Sequence, residues 1–301
     1  MRKASAFSPG HITGFFQICD SADDPLLKGS RGAGFSISKG VTTTVTVKEA
    51  SRSSFEIKIN GDSSRSAPVS EYVLNHFLSE MRKQYKVTVD HRVDIPVGSG
   101  LGSSGAGALS LSLALNEALD LGLTRIEAAQ IAHLAEVKCR TGLGTVIAEF
   151  YGGLEVRVEA GAPGFGRVIK IPSKDYLAVF VCYSPLSTSK LLKNEAFRVR
   201  VNEIGGRMVD EIAKSPSPER FMGLSRVFTR EVGIASDRVQ KVLSEMSEYG
   251  YTFGMAMLGE TVFTLIRENE VDDAVRLIRR FLPSKSTLYV TEIDSEGVRL
   301  L

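Results

Sequence analysis

The sequence predicts a two-domain α+β protein, and three observations carry that expectation. The chain has 301 residues, more than the roughly 100–200 of a usual single domain. Alternating β-branched runs and apolar residues at helical spacing both recur, the first half reading mostly as strands and a helix-rich stretch following later. A composition shift at Gly161-Ala162-Pro163-Gly164 then sets the expected domains at 1–162 and 163–301.

The elements follow in order. Residues 35–47 contain Val41-Thr42-Thr43-Thr44-Val45-Thr46-Val47, whose side chains alternate between two faces, and residues 55–59 alternate as Phe-Glu-Ile-Lys-Ile. Both read as strands. The Ser-rich polar stretches 51–54 and 61–70 read as exposed turns. In 71–83, Val73, Leu74, Phe77, Leu78 and Met81 fall at helical spacing, and 86–95 returns to a strand through Val87, Val89, Val93 and Ile95. A glycine-rich loop follows, then residues 106–119, apolar nearly all round and therefore a buried helix. The next helix opens on Thr124-Arg125-Ile126-Glu127, a capping box in which the two side chains satisfy each other's free backbone amides. It runs through Ile131, Leu134 and Val137 until Gly142 and Gly144 break the pattern. Beyond the boundary come a strand at 177–182 and helices between 194 and 248. Residues 252–257, 261–266, 272–281 and 286–293 then read as strand, strand, helix and strand, a small split α+β sandwich. No repeat of fixed period is present.

Composition narrows the function classes. With 37 basic against 35 acidic residues the net charge is +2 and no basic block dominates, which argues against a nucleic-acid partner. At 43% hydrophobic and 24% charged the chain is neither disordered nor fibrous. Met1-Arg2-Lys3 and the residues after it contain no apolar core of a signal peptide, and the longest apolar stretch, about 176–183, falls short of the roughly 20 residues that span a bilayer. A cytoplasmic location without membrane attachment is expected. Cys19, Cys139 and Cys182 are odd in number and far apart, the pattern of buried reduced thiols rather than a zinc or redox site.

The sharpest feature is Pro96-Val97-Gly98-Ser99-Gly100-Leu101-Gly102-Ser103-Ser104-Gly105-Ala106. It follows a strand and opens a helix, the geometry in which backbone amides and a helix N-terminus cradle anionic oxygens. Its glycines permit positive φ and close approach of a ligand to the backbone, and Ser103 and Ser104 lie where hydroxyls bond phosphate or ligate Mg²⁺. Three readings compete. A Walker A loop needs a Gly-Lys-Ser/Thr ending, and the segment has no lysine. A dinucleotide fingerprint needs Gly-x-Gly-x-x-Gly, but the third glycine is displaced by one residue and a β-rich region precedes the loop. The third reading is a glycine-rich helix entry without a ligand.

At these residues the chain resembles the GHMP kinases, whose second motif has the form Pro-x-Gly-x-Gly-Leu-Gly-Ser-Ser-Ala; only Gly105, ahead of the alanine, departs from it. The family's first motif is matched by Phe7-Ser8-Pro9-Gly10-His11-Ile12-Thr13-Gly14-Phe15-Phe16, and its third by Gly254-Met255-Ala256-Met257-Leu258-Gly259. The segment from Ser8 to Phe16, with Gly29-Ser30-Arg31-Gly32-Ala33-Gly34 and Gly40-Val41-Thr42-Thr43-Thr44, is similar to the archaeal pantoate kinases within that superfamily. Mevalonate kinases and galactokinases usually carry Lys or Arg where His11 stands. The resemblance implies a ribosomal protein S5 domain 2-like N-terminal ATP-binding domain and a ferredoxin-like C-terminal domain. It implies Mg-ATP as donor and pantoate as acceptor, phosphorylated on its terminal hydroxyl to 4-phosphopantoate for coenzyme A synthesis. A homodimer is a possible assembly. A homoserine- or mevalonate-type kinase and a non-catalytic nucleotide-binding regulator are the alternatives.

The resemblance also assigns residues. Pro96, Gly98, Ser99, Gly100, Leu101, Gly102, Ser103, Ser104, Gly105 and Ala106 would hold ATP, and Ser104 with Glu136 would hold Mg²⁺, which needs only one or two protein oxygens. Thr145, in Gly142-Leu143-Gly144-Thr145, stands where the family commonly has the Asp that activates the acceptor hydroxyl. Threonine is no base at neutral pH, so an active but base-poor kinase is expected, as a loose transition state permits. A pantoate carboxylate calls for arginine, Arg157 first and Arg31 second. Ser30 is a further contact to the substrate, and His133 shares a helix face with Glu136 three residues on. Each of the four also has a plain reading: surface charges for the arginines, a turn residue for Ser30, a satisfied buried imidazole for His133. His11 reads as a brace for its loop.

Overall fold

The alternating Val/Thr run becomes one half of a long antiparallel pair. In the computed structural model, which describes residues 1–63, 65–184, 194–257, 259–283 and 286–301, β1 (Arg2–Cys19) and β2 (Gly29–Glu49) run side by side along nearly their whole lengths. Residues 41–49 of β2 pair on the other side with β4 (Tyr85–Val93), which takes β3 (Ser54–Ile59) in parallel. The opposite end of β2, Gly32 to Phe35, pairs instead with β5 (Leu154–Glu159), and β5 with β6 (Arg167–Ile171). The chain's last strand, β11 (Arg299–Leu300), returns to β1 and completes a seven-stranded sheet. The expected boundary at 162/163 falls between β5 and β6, neighbours in that sheet.

Helices α1 (Pro68–Ser79), α2 (Ser103–Leu119) and α3 (Arg125–Cys139) cover the outer half of the sheet, where Val45, Val87 and Val89 pack with Leu74, Phe77, Leu109 and Leu111. The capping box forms as expected, Thr124 Oγ1 accepting from the Glu127 amide and the Glu127 carboxylate from the Thr124 amide. α4 (Thr145–Tyr151) is a short helix running into β5.

The second sheet has the order β10-β7-β9-β8, antiparallel throughout, from β7 (Tyr176–Ser184), β8 (Gly254–Met255), β9 (Glu260–Arg267) and β10 (Leu288–Glu292). α5 (Glu195–Lys214), α6 (Pro218–Val232), α7 (Asp237–Glu248) and α8 (Val271–Ile278) accompany it. An aromatic cluster joins the two sheets: Phe35 of β2 lies 5.5 Å from Phe263 of β9 and 6.0 Å from Phe221 of α6, ring centre to ring centre. The inner half of the first sheet is thereby buried against the second.

Two local expectations change. Residues 29–34, where Ser30 read as a turn residue, are instead the start of β2, paired throughout with β1 and from Gly32 also with β5. Three glycines in six residues depress strand propensity, and here tertiary pairing overrides it. The buried helix begins at Ser103, three residues earlier than its apolar pattern. Leu258 of the third motif lies outside the described residues.

Candidate active site

Backbone geometry makes the glycine loop a cradle. Gly98, Gly100 and Gly102 have φ of 78°, 77° and 72°, a conformation that a side chain strains. Gly102 caps α2 without any side-chain bond to the first turn, which also carries no acidic residue. The positive end of a 17-residue helix is therefore left free for an anion. The C-terminal half braces the loop: Thr261 Oγ1 donates to Ser99 O at 2.7 Å, and a Cβ on Gly100 would lie 2.9 Å from both Met257 O and Gly259 N.

The loop forms one wall of a cleft of about 790 Å³, from Gly98 to Ser104, except Ser99; Glu136, the 141–145 segment, Ser30, His11, Thr13, Phe16 and Met257 complete it. A second cavity of about 630 Å³ adjoins it across Ser103, Ser104 and Thr141. Its walls are largely apolar, including Val41, Ile59, Pro68, Val93 and Val97. A polar cleft beside an apolar slot, divided by a helix N-terminus, suits a phosphate chain attached to a flat aromatic base.

Ser104 and Glu136 meet at the cleft. Glu136, on α3, is buried; its carboxylate accepts from Thr141 Oγ1 at 2.6 Å and from the Ser104 hydroxyl. Burial pushes its acid strength down and the pKa up, while the two hydroxyls oppose that shift. A Cβ on Gly142 would stand 2.1 Å from Glu136 Oε2, so the glycine leaves that oxygen room. A hydroxyl and a carboxylate in contact, next to an anion cradle, fit the hard-oxygen preference of Mg²⁺. Among the described residues no group of three acidic, histidine or cysteine side chains is arranged to hold a metal.

A carboxylate that sequence reasoning missed lies directly beneath the loop. Glu149 of α4 is fully buried and neither of its oxygens has a hydrogen-bond partner. It would touch a Cβ on Gly102 at 2.3 Å and one on Gly105 at 2.9 Å. Burial, and then the nearby Glu136, hold its pKa well above the usual carboxylate range. A lone glutamate in Ile147-Ala148-Glu149-Phe150 carries no motif that would announce it. Thr145, one helical turn earlier, faces the same loop and lines the cleft.

The other wall is built across three strands. His11 and Thr13 share a face of β1, and Glu155 and Arg157 share a face of β5. β2 lies between them with glycine at the crossing points: a Cβ on Gly34 would come within 2.4 Å of His11 Cε1, and one on Gly32 within 2.7 Å of Arg157 Nη2. The imidazole thus passes over β2, and His11 Nε2 lies 2.9 Å from Glu155 Oε1. Arg157 Nη1 donates to the same oxygen. Arg157 is 1% exposed, and its Nε has no partner while facing Gly144, whose absent Cβ would lie 3.2 Å away and would overlap Ser30 Oγ. The pairs His11/Thr13 and Glu155/Arg157, each two residues apart in a strand, were the available sequence signal.

Of the sequence-predicted residues, Ser30, Ser104, Glu136 and Thr145 line the cleft, with Gly98, Gly100, Leu101, Gly102 and Ser103. Arg157 lies behind Ser30 and Gly144. Pro96, Ser99, Gly105 and Ala106 support the loop without lining the cleft. Arg31 points elsewhere: it donates to Val158 O, Gln17 Oε1 and Asp210 on α5. His133 is buried and bonded through Nε2 to Pro25 O at 3.2 Å, with its pKa lowered by burial.

Comparison with known proteins bears on the same residues. Residues 69–153 match the GHMP kinases N terminal domain. The chain is 35% identical to the pantoate kinase of Methanocaldococcus jannaschii over 91% of its own length and 96% of the relative's. It is likewise 35% identical to the pantoate kinase of Thermococcus kodakarensis, covering 91% of each chain. A solved structure described as a phosphotransferase related to the CoA biosynthesis pathway superposes with a TM-score of 0.90 at 31% identity, over 99% of this chain and 98% of the other. With more than a third of its residues shared along nine-tenths of its length, the chain belongs to the pantoate kinase family of the GHMP kinases.

Proposed function

We propose that this protein transfers the γ-phosphoryl group of ATP to the terminal hydroxyl of pantoate, giving 4-phosphopantoate and ADP for coenzyme A synthesis. The observation that carries the reading is Arg157, a buried guanidinium with an unpartnered Nε directed past Gly144 toward Ser30 at the cleft wall. A small acid bearing an alcohol suits such a place, because a planar fork binds carboxylate with defined orientation. The 35% identity to two pantoate kinases supports it.

The chain's own groups then divide the work. The amides of the 98–104 loop and the start of α2 hold the triphosphate, and the apolar slot by Val41 and Val93 takes the base. Ser104 and Glu136 would hold Mg²⁺, which when bound neutralises charge on the phosphates. Ser30 and Arg157 orient the acceptor by its carboxylate, so that its hydroxyl is presented to phosphorus; for a loose transition state such alignment is most of the catalysis. The reaction is read as cytoplasmic, and no helix among the described residues is long and apolar enough to cross a membrane.

The test is product identification by mass after incubation with ATP, Mg²⁺ and a panel of pantoate, mevalonate and homoserine. Phosphopantoate as the dominant product is expected. Preferential phosphorylation of mevalonate or homoserine, or ATP binding with no acceptor-dependent ADP, refutes the reading.

A further inference from the structure

Thr145 leaves the cleft without a carboxylate where the acceptor hydroxyl would lose its proton, yet another proton acceptor stands at the opposite wall. Thr13 lines the cleft and is partly exposed; its Oγ1 lies 3.2 Å from His11 Nδ1. His11 has no exposed side-chain surface, and its Nε2 lies 2.9 Å from the buried Glu155. Glu155 accepts through Oε1 from both His11 and Arg157, which fixes the ring's orientation from behind. A carboxylate can only accept from Nε2–H, so Nδ1 carries the lone pair and Thr13 O–H donates to it. A hydroxyl at the surface, an imidazole behind it and an orienting carboxylate behind that is the arrangement of an activated oxygen.

We propose that Thr13, His11 and Glu155 form a proton relay that receives the acceptor hydroxyl's proton during phosphoryl transfer. The proposal rests on the kinase reading above. As the acceptor oxygen bonds to the γ-phosphorus, the bond from phosphorus to the β–γ bridging oxygen breaks and ADP leaves with that electron pair. The acceptor's proton passes to Thr13 Oγ1 while Thr13 passes its own proton to His11 Nδ1. The resulting imidazolium faces Glu155, and the proton returns to solvent through the reverse exchange once product has left. Burial keeps His11 neutral beforehand by lowering its pKa, against the opposing pull of Glu155. Two register shifts in the β1–β2 pairing, at Pro9/Gly10 and Thr13/Phe15, flank the pair. Gly34 is the opening through which His11 reaches Glu155.

The experiment compares wild type, Thr13→Val and Thr13→Ser under saturating ATP and Mg²⁺ with pantoate varied. ¹⁵N NMR of histidine-labelled wild type assigns the His11 tautomer, its signals identified by their loss in His11→Gln. Expected are a kcat lower by about 10²–10⁴-fold in Thr13→Val with KM for pantoate within a few-fold, and recovery to near wild type in Thr13→Ser. The NMR should show a protonated Nε2 and a bare Nδ1. Wild-type kcat in Thr13→Val, or a proton on His11 Nδ1 at neutral pH, overturns the relay while leaving the pantoate reading intact. A wild type that does not phosphorylate pantoate overturns both.

Discussion

His91 offers the clearest measure of how tightly the apolar slot beside the cleft is built. It sits on β4 at 3% exposure, its Nδ1 2.7 Å from Thr43 Oγ1 and its Nε2 3.0 Å from Ser70 Oγ. Thr43 in turn meets Ser110 at 2.6 Å, and Ser110 donates to Ala106 O in the first turn of α2 at 2.7 Å. The chain of bonds therefore links α1, β4, β2 and α2, beside the apolar slot. Burial lowers the His91 pKa from 6.5 to about 4. Its folded pKa is thus depressed below the unfolded value, so the neutral ring's contribution to stability is present above pH 6.5 and is lost as pH falls toward 4. At about 1.4 kcal/mol per unit, the two units between 6.5 and 4.5 amount to roughly 3 kcal/mol. His91→Gln keeps a donor and an acceptor but does not titrate. Urea unfolding of both proteins at pH 7 and pH 4.5 should show the stability difference moving by about 2–3 kcal/mol in the variant's favour at the lower pH. A difference that stays constant between the two would mean that His91 protonates without penalty, and the argument from its burial would fail.

The remaining predictions concern the cleft. Glu149→Gln should stabilise the protein increasingly as pH rises above 4.5, by up to about 1.4 kcal/mol per unit, because the raised folded pKa makes the wild type lose stability until that pKa is passed; equal melting shifts at pH 5 and 6.5 would contradict this. Gly102→Ala places a methyl group at φ 72° and 2.3 Å from Glu149 Oε1, so calorimetric titration should show at least a ten-fold weaker Kd for ATP, and an unchanged Kd would remove the loop from phosphate binding. Arg157→Lys keeps the charge and loses the fork, so KM for pantoate should rise ten-fold or more with KM for ATP steady; parallel rises in both would place the carboxylate elsewhere. Thr145→Asp should alter the single-turnover rate by less than about three-fold if the relay already takes the proton, whereas a gain approaching the 10²–10⁴-fold worth of a general base would show that the wild type lacks one.

What the sequence disclosed depended on whether the signal was local. The capping box at Thr124–Glu127 and the helix opened by the glycine loop are decisions taken within a few residues; the box forms where expected and the helix only three residues earlier. The family-defining loop is likewise contiguous. Strand 29–34 was illegible for the opposite reason: its glycines read as a turn, and only pairing with β1 and with β5, more than a hundred residues on, makes it a strand. Arg31 and Arg157 look alike in sequence, each within four residues of a glycine. The fold separates them, sending Arg31 to Asp210 and enclosing Arg157 with Glu155. Glu149 had no legible signal because its meaning lies in what α4 presses against.

On the reading proposed above the cleft takes a triphosphate and an organic acid, yet three carboxylates are buried around it, and that conflict bears on the arrangement of each. Glu136 lies with two hydroxyls at the place fitted to a cation. Glu155 is shared between a guanidinium and an imidazole. Glu149 has neither hydroxyl nor cation, and burial raises its pKa well above the usual carboxylate range. A raised pKa suits a carboxyl beneath an anion cradle, since the neutral form does not repel phosphates at low local dielectric. Environment alone thus divides one functional group among three roles. Each of these environments adjoins a glycine: Gly142 beside Glu136, Gly102 above Glu149, Gly34 beneath the path from His11 to Glu155. A methyl group at any of the three would occupy space that the functional side chain now fills. The glycines of this chain therefore do more than bend backbone around phosphate; they are the openings through which buried acids reach their partners.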